Sequence, residues 1–160
     1  GASSQGSVSY CLGRMIIVSD NACASALGAL YGWTALDSKL AAEGYSATRL
    51  NNQVSGDKKS TARDEMTLLT RLYFHENLGA SSVDYLFDLM KQQIYRQGII
   101  AGSRGSAVAA KVGFLGSLYH DMGIVYSPKA TYSLVIMTDG AGGFTNIKLL
   151  SQQIYDFYNQ

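Results

Sequence analysis

The residues that say most about the architecture are 106–138, SAVAAKVGFLGSLYHDMGIVYSPKATYSLVIMT. Three segments within them, 106–115, 119–126 and 131–138, are enriched in β-branched and aromatic residues, which favour strands. Only short turns, at residues 116–117 and 127–129, separate these segments, and connections of this length join antiparallel neighbours. The spacing therefore predicts a three-stranded antiparallel meander.

On both sides of the meander, apolar side chains recur at helical spacing. The pattern predicts helices over residues 8–19, 22–31, 35–43, 82–95 and 145–158. A further helix is predicted to begin at Thr61, because Asp64 follows it at the spacing of a capping box. The polar residues 51–60 predict an exposed loop. The residues expected on the buried faces of the last three helices are Met66, Leu69, Leu72 and Tyr73; Val83, Leu86, Phe87, Met90 and Ile94; and Ile147, Leu150, Ile154 and Phe157.

This order of elements indicates an α+β fold, in which a helical subdomain is followed by a three-stranded antiparallel sheet and a C-terminal helix. The chain has 160 residues, 47% of them hydrophobic and 16% charged, which is enough to bury a core. We expect a single domain over residues 8–160. The small, polar residues 1–7 are interpreted as a linker or a cloning scar.

Composition argues against several classes of partner. The formal net charge is +1 and the basic residues are scattered, so there is no electrostatic basis for binding nucleic acid or a charged membrane. No apolar run reaches the roughly 18 residues of a membrane span. His75 and His120 lie far from any other metal ligand, so neither a metal nor a cofactor is expected. Cys11 and Cys23 are too few for a disulfide scaffold, and we expect both to be small packing residues.

Two short motifs carry the chemical signal. Ser19-Asp20-Asn21 joins two predicted helices, and Lys111-Val112-Gly113 lies on the first predicted strand. Alone, the first is typical of a helix cap and the second of a solvated strand lysine. Penicillin-recognising enzymes, however, carry S-x-x-K, then S-D-N between two helices, then K-T-G on a strand. The second and third of these elements occur here in that order, about ninety residues apart.

The flanking residues extend the similarity over residues 8–158. The runs that carry it are Met15-Ile16-Ile17-Val18 before S-D-N, Gly44-Tyr45-Ser46-Ala47-Thr48-Arg49-Leu50-Asn51, Ser60-Thr61-Ala62-Arg63-Asp64, and Gly98-Ile99-Ile100-Ala101-Gly102. The chain resembles the later two-thirds of a class A β-lactamase-like, penicillin-recognising serine hydrolase. The resemblance implies a truncated β-lactamase/transpeptidase-like fold.

The resemblance also implies roles for individual residues. Ser19 would relay a proton toward the leaving nitrogen. Lys111 would lower the free energy of negative charge near Ser19 and attract a substrate carboxylate. Asn21 would hydrogen-bond the amide side chain of the substrate, whereas Asp20 would stabilise the turn. The hydroxyl of Ser19 and the amine of Lys111 are thus expected to point into one cleft.

The strand that carries the third motif would bind substrate through Val112, Gly113 and Phe114. The backbone N–H of Phe114 would be one of two oxyanion-hole donors. Val112 replaces the threonine of K-T-G, so the hydroxyl that binds a β-lactam carboxylate is missing. On the next strand, His120 and Asp121 stand where many class A enzymes place an arginine for the same carboxylate.

Other family features are missing from the chain. No S-x-x-K precedes Ser19, so the chain contains no nucleophile and is predicted to be inactive alone. The one formal S-x-x-K, residues 55–58, falls in the predicted loop and is interpreted as chance. No glutamate lies between Leu50 and Thr61 to activate a deacylating water, and Asp57 is the one acid there. An acyl-enzyme would therefore persist, and efficient penicillin hydrolysis is not expected.

Two functions remain open on this basis. The first is a fragment of a serine hydrolase that acts on β-lactams or D-alanyl peptides by acyl-enzyme chemistry, from an exported, extracellular or periplasmic protein. The alternative is a non-catalytic module of the same fold that binds cell-wall peptide.

A phosphate-binding loop at residues 139–143 fits less well than a flexible turn, because the strands before it look antiparallel. Without the upstream strands and helix of the family fold, we expect an exposed sheet edge and apolar patch, hence self-association or pairing with a complementary N-terminal segment.

Overall fold

The structure is a computed structural model and describes residues 7–51, 58–76, 78–140 and 142–160. The chain divides into two compact units, Gly1–Asp64 and Glu65–Gln160. The single domain over residues 8–160 stays a prediction. The linker over residues 1–7 also stays a prediction, because residues 1–6 lie outside the described part.

The first unit is built from three helices: α1 (Val8–Ile17), α2 (Asn21–Tyr31) and α3 (Trp33–Ala42). The helices α1 and α2 pack through the buried residues Cys11, Cys23 and Leu27. The ring of Trp33 lies against Gly28, where an added Cβ would come within 2.0 Å of it. Only glycine at position 28 therefore lets α3 pack on α2 in this way.

Cys11 and Cys23 form a disulfide bond between α1 and α2, so the expectation that they are merely packing residues is wrong. The turn after α1 folds α2 back and brings the two Cα atoms to 4.8 Å, inside the range that a disulfide can bridge. The sequence spacing of twelve residues did not reveal this pairing, because proximity depends on the angle between the helices.

The chain that follows α3 is tied back to its own unit at two points. The carboxylate of Asp37 accepts hydrogen bonds from the backbone N–H groups of Leu50 (2.6 Å) and Asn51 (3.2 Å). Arg49 and Lys59 form an antiparallel bridge with backbone hydrogen bonds of 2.8 and 2.9 Å. The predicted loop over residues 51–60 thus begins and ends at fixed points, and its residues 52–57 lie outside the described part.

The helix α4 (Ala62–Tyr73) begins where the capping pattern predicts, and the boundary between the units falls within it. The hydroxyl of Thr61 accepts from the N–H of Asp64 at 3.2 Å. The buried carboxylate of Asp64 bonds elsewhere, to the N–H of Ala47 (3.1 Å) and the hydroxyl of Thr48 (2.8 Å). Thr61 therefore caps the helix, while Asp64 anchors the preceding segment.

The second unit contains α5 (Ala80–Lys91), the short helix α6 (Ile99–Gly102), strands β1 (Ala107–Leu115), β2 (Leu118–Tyr126) and β3 (Thr131–Asp139), and α7 (Gly143–Tyr158). The strands pair antiparallel in the order β1-β2-β3, which confirms the predicted meander. One face of the sheet packs against α6 and α7. The buried residues that form this core are Ile99, Ile100, Val108, Ala110, Val125, Leu134, Ile136, Ile147 and Tyr155.

Four residues predicted to be buried on helices are exposed: Tyr73, Ile94, Leu150 and Phe157. Ile94 falls outside α5, which ends at Lys91 rather than at residue 95. On α7 the buried residues are Ile147, Ser151 and Tyr155, so the face that contacts the sheet is rotated from the prediction. Helical spacing shows which side chains share a face, but it does not show what covers that face.

Candidate functional site

The turn between α1 and α2 holds the first predicted motif. The N–H groups of Val18 and Asp20 both donate to the carbonyl of Arg14, at 3.1 and 3.2 Å, and this ends α1. Ser19, between them, has a φ of +56°, in the left-handed region that few non-glycine residues adopt. Such backbone strain clusters at functional sites and persists only where surrounding contacts enforce it.

Asp20 has the structural role that the sequence predicted, because it is the N-cap of α2. Its Oδ1 accepts from the N–H of Cys23 at 3.0 Å, and its Oδ2 accepts from Nε and Nη2 of Arg14 at 3.2 and 3.1 Å. The backbone hydrogen bond from Cys23, followed by the Arg14 guanidinium, lowers the pKa of this carboxyl below its usual range. Asn21, the first residue of α2, is exposed.

The strand β1 carries the second motif. Lys111 is partly buried, and its Nζ donates to the carbonyl of Val112 at 3.0 Å. Burial lowers the pKa of this ammonium, while the charge of Asp121 acts in the opposite direction. Val112 is 5% exposed, and Gly113 beside it lies at the surface with open space where a Cβ would be.

Alternate N–H groups of β1 point away from β2, toward the other edge of the strand. The N–H of Val112 donates away from β2, to Oε1 of Gln93 at 2.9 Å. Because N–H groups alternate between the two sides of an antiparallel strand, the N–H of Phe114, two residues further on, points to the same edge. Gln93 was not predicted to matter, because nothing in its sequence context distinguishes it from a surface glutamine.

An aromatic cluster surrounds the end of β1. The Phe114 ring lies edge-to-face on Tyr95 (5.6 Å between centroids) and Phe144 (6.0 Å), and Phe144 contacts Tyr119 in the same way (5.2 Å). Phe114 is nevertheless 52% exposed. The cluster therefore restrains the residue whose N–H points from the strand edge.

Asp121, which stands on the strand where many class A enzymes place an arginine, is a buried carboxylate. It is only 2% exposed, and its Oδ2 accepts from the N–H of Ile99 at 2.8 Å. Burial raises its pKa to about 7, against the opposing effect of the Ile99 N–H. A Cβ on Gly98 would lie 2.2 Å from Oδ2, which explains the glycine there. His120 accepts at Nδ1 from the N–H of Thr138 (3.2 Å).

Ser19 lies in the first unit, and Lys111 in the second. The structure thus places Ser19, Asp20 and Asn21 together on one turn, and Lys111, Val112, Gly113 and Phe114 together on one strand edge. The cleft that Ser19 and Lys111 are expected to share stays a prediction.

The remaining sequence hypotheses concern loops. Residues 55–57, including Asp57, lie outside the described residues, and Lys58 places its Nζ over the Trp33 ring at 3.5 Å. The strands before residue 139 are antiparallel, which removes the basis for a phosphate-binding loop, although residue 141 itself is not described. Within the described ranges, no helix is long and apolar enough to cross a bilayer.

The chain as a whole is similar to known proteins. A model described as the beta-lactamase enzyme family matches residues 1–158. A search of curated proteins found no match.

Several solved structures are similar. PBP-A has 24% identity and a TM-score of 0.87, over 96% of this chain and 62% of that chain. A mutant of PBP-A, solved as an acyl-enzyme complex with penicillin G, has 24% identity and a TM-score of 0.86 over the same shares of the two chains. A β-lactamase from Chitinophaga pinensis has 18% identity and a TM-score of 0.80, over 93% of this chain and 64% of that chain. The chain spans less than two thirds of the length of these proteins. The likeness confirms the predicted α+β, partial β-lactamase-like fold.

Proposed function

Because the chain belongs to the beta-lactamase enzyme family, we propose that it is part of a β-lactamase-related serine hydrolase that acts on β-lactams or D-alanyl peptides through an acyl-enzyme. The observation that carries the proposal is that both motifs occur on the elements where the family chemistry needs them. The S-D-N residues form the turn between α1 and α2, and Lys111 to Gly113 lie on strand β1, which among the described residues pairs only with β2.

In this proposal Ser19 transfers a proton toward the leaving nitrogen, and Lys111 supplies positive charge beside it. Lys111 is partly buried, so water shields its charge less from a substrate carboxylate, although the same burial lowers its pKa and the charge of Asp121 opposes that lowering. The N–H of Phe114 stabilises the developing oxyanion. The nucleophile comes from residues that this chain does not contain, since no S-x-x-K precedes Ser19.

We propose slow turnover rather than efficient hydrolysis. Val112 presents no hydroxyl to a substrate carboxylate, and its side chain is buried. No glutamate lies between Leu50 and Thr61 to activate a deacylating water. An acyl-enzyme of this protein is therefore expected to persist.

A non-catalytic module that binds cell-wall peptide is the second candidate function. It is favoured by Val112, because a binding module does not need the hydroxyl that the catalytic motif supplies. Under either function we propose an extracellular or periplasmic location, where such ligands occur. The disulfide between Cys11 and Cys23 supports this location, because disulfides persist in oxidising compartments.

We also propose that the second unit associates with a further chain segment, either from a second copy or from a complementary N-terminal segment. Among the described residues β3 pairs only with β2, so its other edge is available. Beside that edge, an open groove of about 440 Å³ is lined by residues that include Tyr132, Leu150, Ile154 and Phe157. A free strand edge next to apolar surface favours association. Light scattering across a concentration series tests this, and a monomer at every concentration would contradict self-association.

The decisive test of function is acylation by fluorescent penicillin of a longer chain that includes the residues encoded upstream of Gly1. If those residues supply S-x-x-K, we expect covalent labelling that survives denaturing electrophoresis. The 160-residue chain is the matched control and should stay unlabelled. A longer chain that has S-x-x-K and is not labelled would refute the hydrolase. A chain without S-x-x-K that binds muropeptide would support the binding module.

The role of Lys111 is tested in the same labelling assay. Lys111→Met should slow acylation by about 100-fold or more, because a general acid–base or electrostatic group contributes about that much. Lys148→Met is the control, since Lys148 is an exposed lysine on α7, and it should leave the rate unchanged. Equal rates for the two variants would remove Lys111 from the mechanism.

A further inference from the structure

The strained residue Ser19 lies inside the loop that the disulfide closes. Among the described residues, only Ser19, His75 and Arg104 are non-glycine residues with positive φ. Cys11 is on α1 before the turn, and Cys23 is on α2 after it. The covalent bond therefore fixes the spacing of the two helices that Ser19 connects.

The noncovalent contacts of the turn are weaker than this bond. The ion pair between Arg14 and Asp20 is partly exposed, with 46% and 22% of the two side chains accessible, so water and salt weaken it. The cap from Asp20 to Cys23 fixes the start of α2, and the N–H of Asp20, which donates to the carbonyl of Arg14, joins that start to the last turn of α1. Further from the turn, α1 and α2 are held together by the packing of Leu12, Met15 and Leu27 and by the covalent Cys11–Cys23 bond.

We propose that the Cys11–Cys23 disulfide is a positioning element that holds Ser19 in its left-handed conformation and so orients its hydroxyl. A relaxed, negative φ at Ser19 would redirect the chain between Val18 and Asp20, and α1 and α2 would have to move apart. The disulfide limits this movement because it joins the two helices covalently at Cα atoms 4.8 Å apart, within the cluster that also buries Leu27. The catalytic meaning of this arrangement rests on the role proposed for Ser19, whereas the structural effect does not.

The test is a double-mutant cycle between the disulfide and the backbone strain. Ser19→Gly removes the strain, and Cys11→Ala/Cys23→Ala removes the covalent bond. Unfolding of the first unit by urea is followed through the fluorescence of Trp33, the only tryptophan in the chain. Glycine adds less entropy to the unfolded chain inside the closed disulfide loop than in the open chain, so the cycle includes a control substitution inside the same loop.

We expect Ser19→Gly to favour the folded state by about five-fold more in the disulfide-bonded chain than in the cysteine-free chain, as release of left-handed strain predicts. Ala22→Gly is the control, because Ala22 lies exposed on α2 inside the same loop, where glycine relieves no left-handed strain; its difference between the two backgrounds measures the loop entropy and is subtracted. If the effect of Ser19→Gly is then equal in both backgrounds, local hydrogen bonds set the turn and the proposal is overturned.

A functional measurement separates this inference from the proposed function. In the longer, acylating chain, Cys11→Ala/Cys23→Ala should slow acylation at saturating penicillin, whereas Leu27→Ala, which destabilises the same helix pair but keeps the disulfide, should leave the rate per folded molecule unchanged. If both variants slow acylation equally, the disulfide acts only by stabilising the helix pair, and the proposal that it positions Ser19 is overturned. Absence of acylation in every chain would count against the hydrolase, while the result of the cycle would still decide the structural claim.

Discussion

Asp121→Asn should change how the stability of the second unit depends on pH. The carboxyl of Asp121 has a raised pKa of about 7 because it is buried, whereas its pKa in the unfolded chain is near the ordinary aspartate value of 3.8. Between about pH 4 and pH 7, the folded state therefore keeps a proton on Asp121 that the unfolded state has lost. In that window the free energy of unfolding falls as pH rises, and above pH 7 the loss is complete.

The size of the effect follows from the same numbers. A difference of about 3 pKa units corresponds to about 4 kcal/mol, and Asp121 is too deeply buried for solvent to reduce this much. Asparagine keeps a side-chain oxygen that can accept from the N–H of Ile99, but it does not ionise. Asp121→Asn should thus become more stable relative to the parent as pH rises from 4 to 7.

Urea unfolding at several pH values, followed through near-ultraviolet circular dichroism of the tyrosines, measures this difference. Asp156→Asn is a control of opposite sign. The guanidinium of Arg104 lowers the pKa of Asp156, so its stabilising contribution is present at neutral pH and lost as the pH falls through the folded-state pKa. A difference between Asp121→Asn and the parent that stays constant from pH 4 to pH 7 would refute the claim that burial controls this carboxyl.

Three further changes test the packing around the two motifs. Cys11→Ala/Cys23→Ala should lower the free energy of unfolding of the first unit by about 3 kcal/mol, the value for a loop of roughly this length, and an unchanged urea midpoint in tryptophan fluorescence would contradict it. Gly98→Ala should lower the free energy of unfolding by about 1–3 kcal/mol, because the added Cβ collides with the buried carboxylate of Asp121. Gly113→Ala is the control: a Cβ there meets open space, so the same circular dichroism assay should show a far smaller loss. Gln93→Leu removes the acceptor of the buried Val112 N–H on β1, so it should also lower the free energy of unfolding by about 1–3 kcal/mol. A thermal melting curve like that of the parent would show that another acceptor replaces Gln93.

The sheet was predictable from sequence because its signals are local. Each strand is a continuous β-favouring run, and the turns at residues 116–117 and 127–129 leave almost no choice of connection. The S-D-N turn was predictable for the same reason, since Asp20 caps the helix that begins at the next residue. Short-range preferences of the backbone are enough in both cases.

Features that depend on distant partners were not predictable. Leu150 and Phe157 are apolar residues at helical spacing on α7, yet they are exposed, because burial requires an opposing surface as well as a pattern. Ile94 is exposed beyond the end of α5, which stops at Lys91. The pairing of Cys11 with Cys23 depends on how two helices cross. Asp121 did carry a signal, since it occupies a strand position on the same face as Gly123 and Val125, where an unpaired charge is unusual.

The bridge between Arg49 and Lys59 has an evolutionary consequence for the residues it encloses. With its ends joined by two backbone hydrogen bonds, and with Asp37 holding Leu50 and Asn51, the intervening stretch can gain or lose residues without pulling on α3 or α4. Each doubling of such a stretch costs only about 0.6 kcal/mol in closure entropy. Insertions and deletions among natural relatives should accumulate there, and a peptide tag inserted at the same place should be carried without loss of folding.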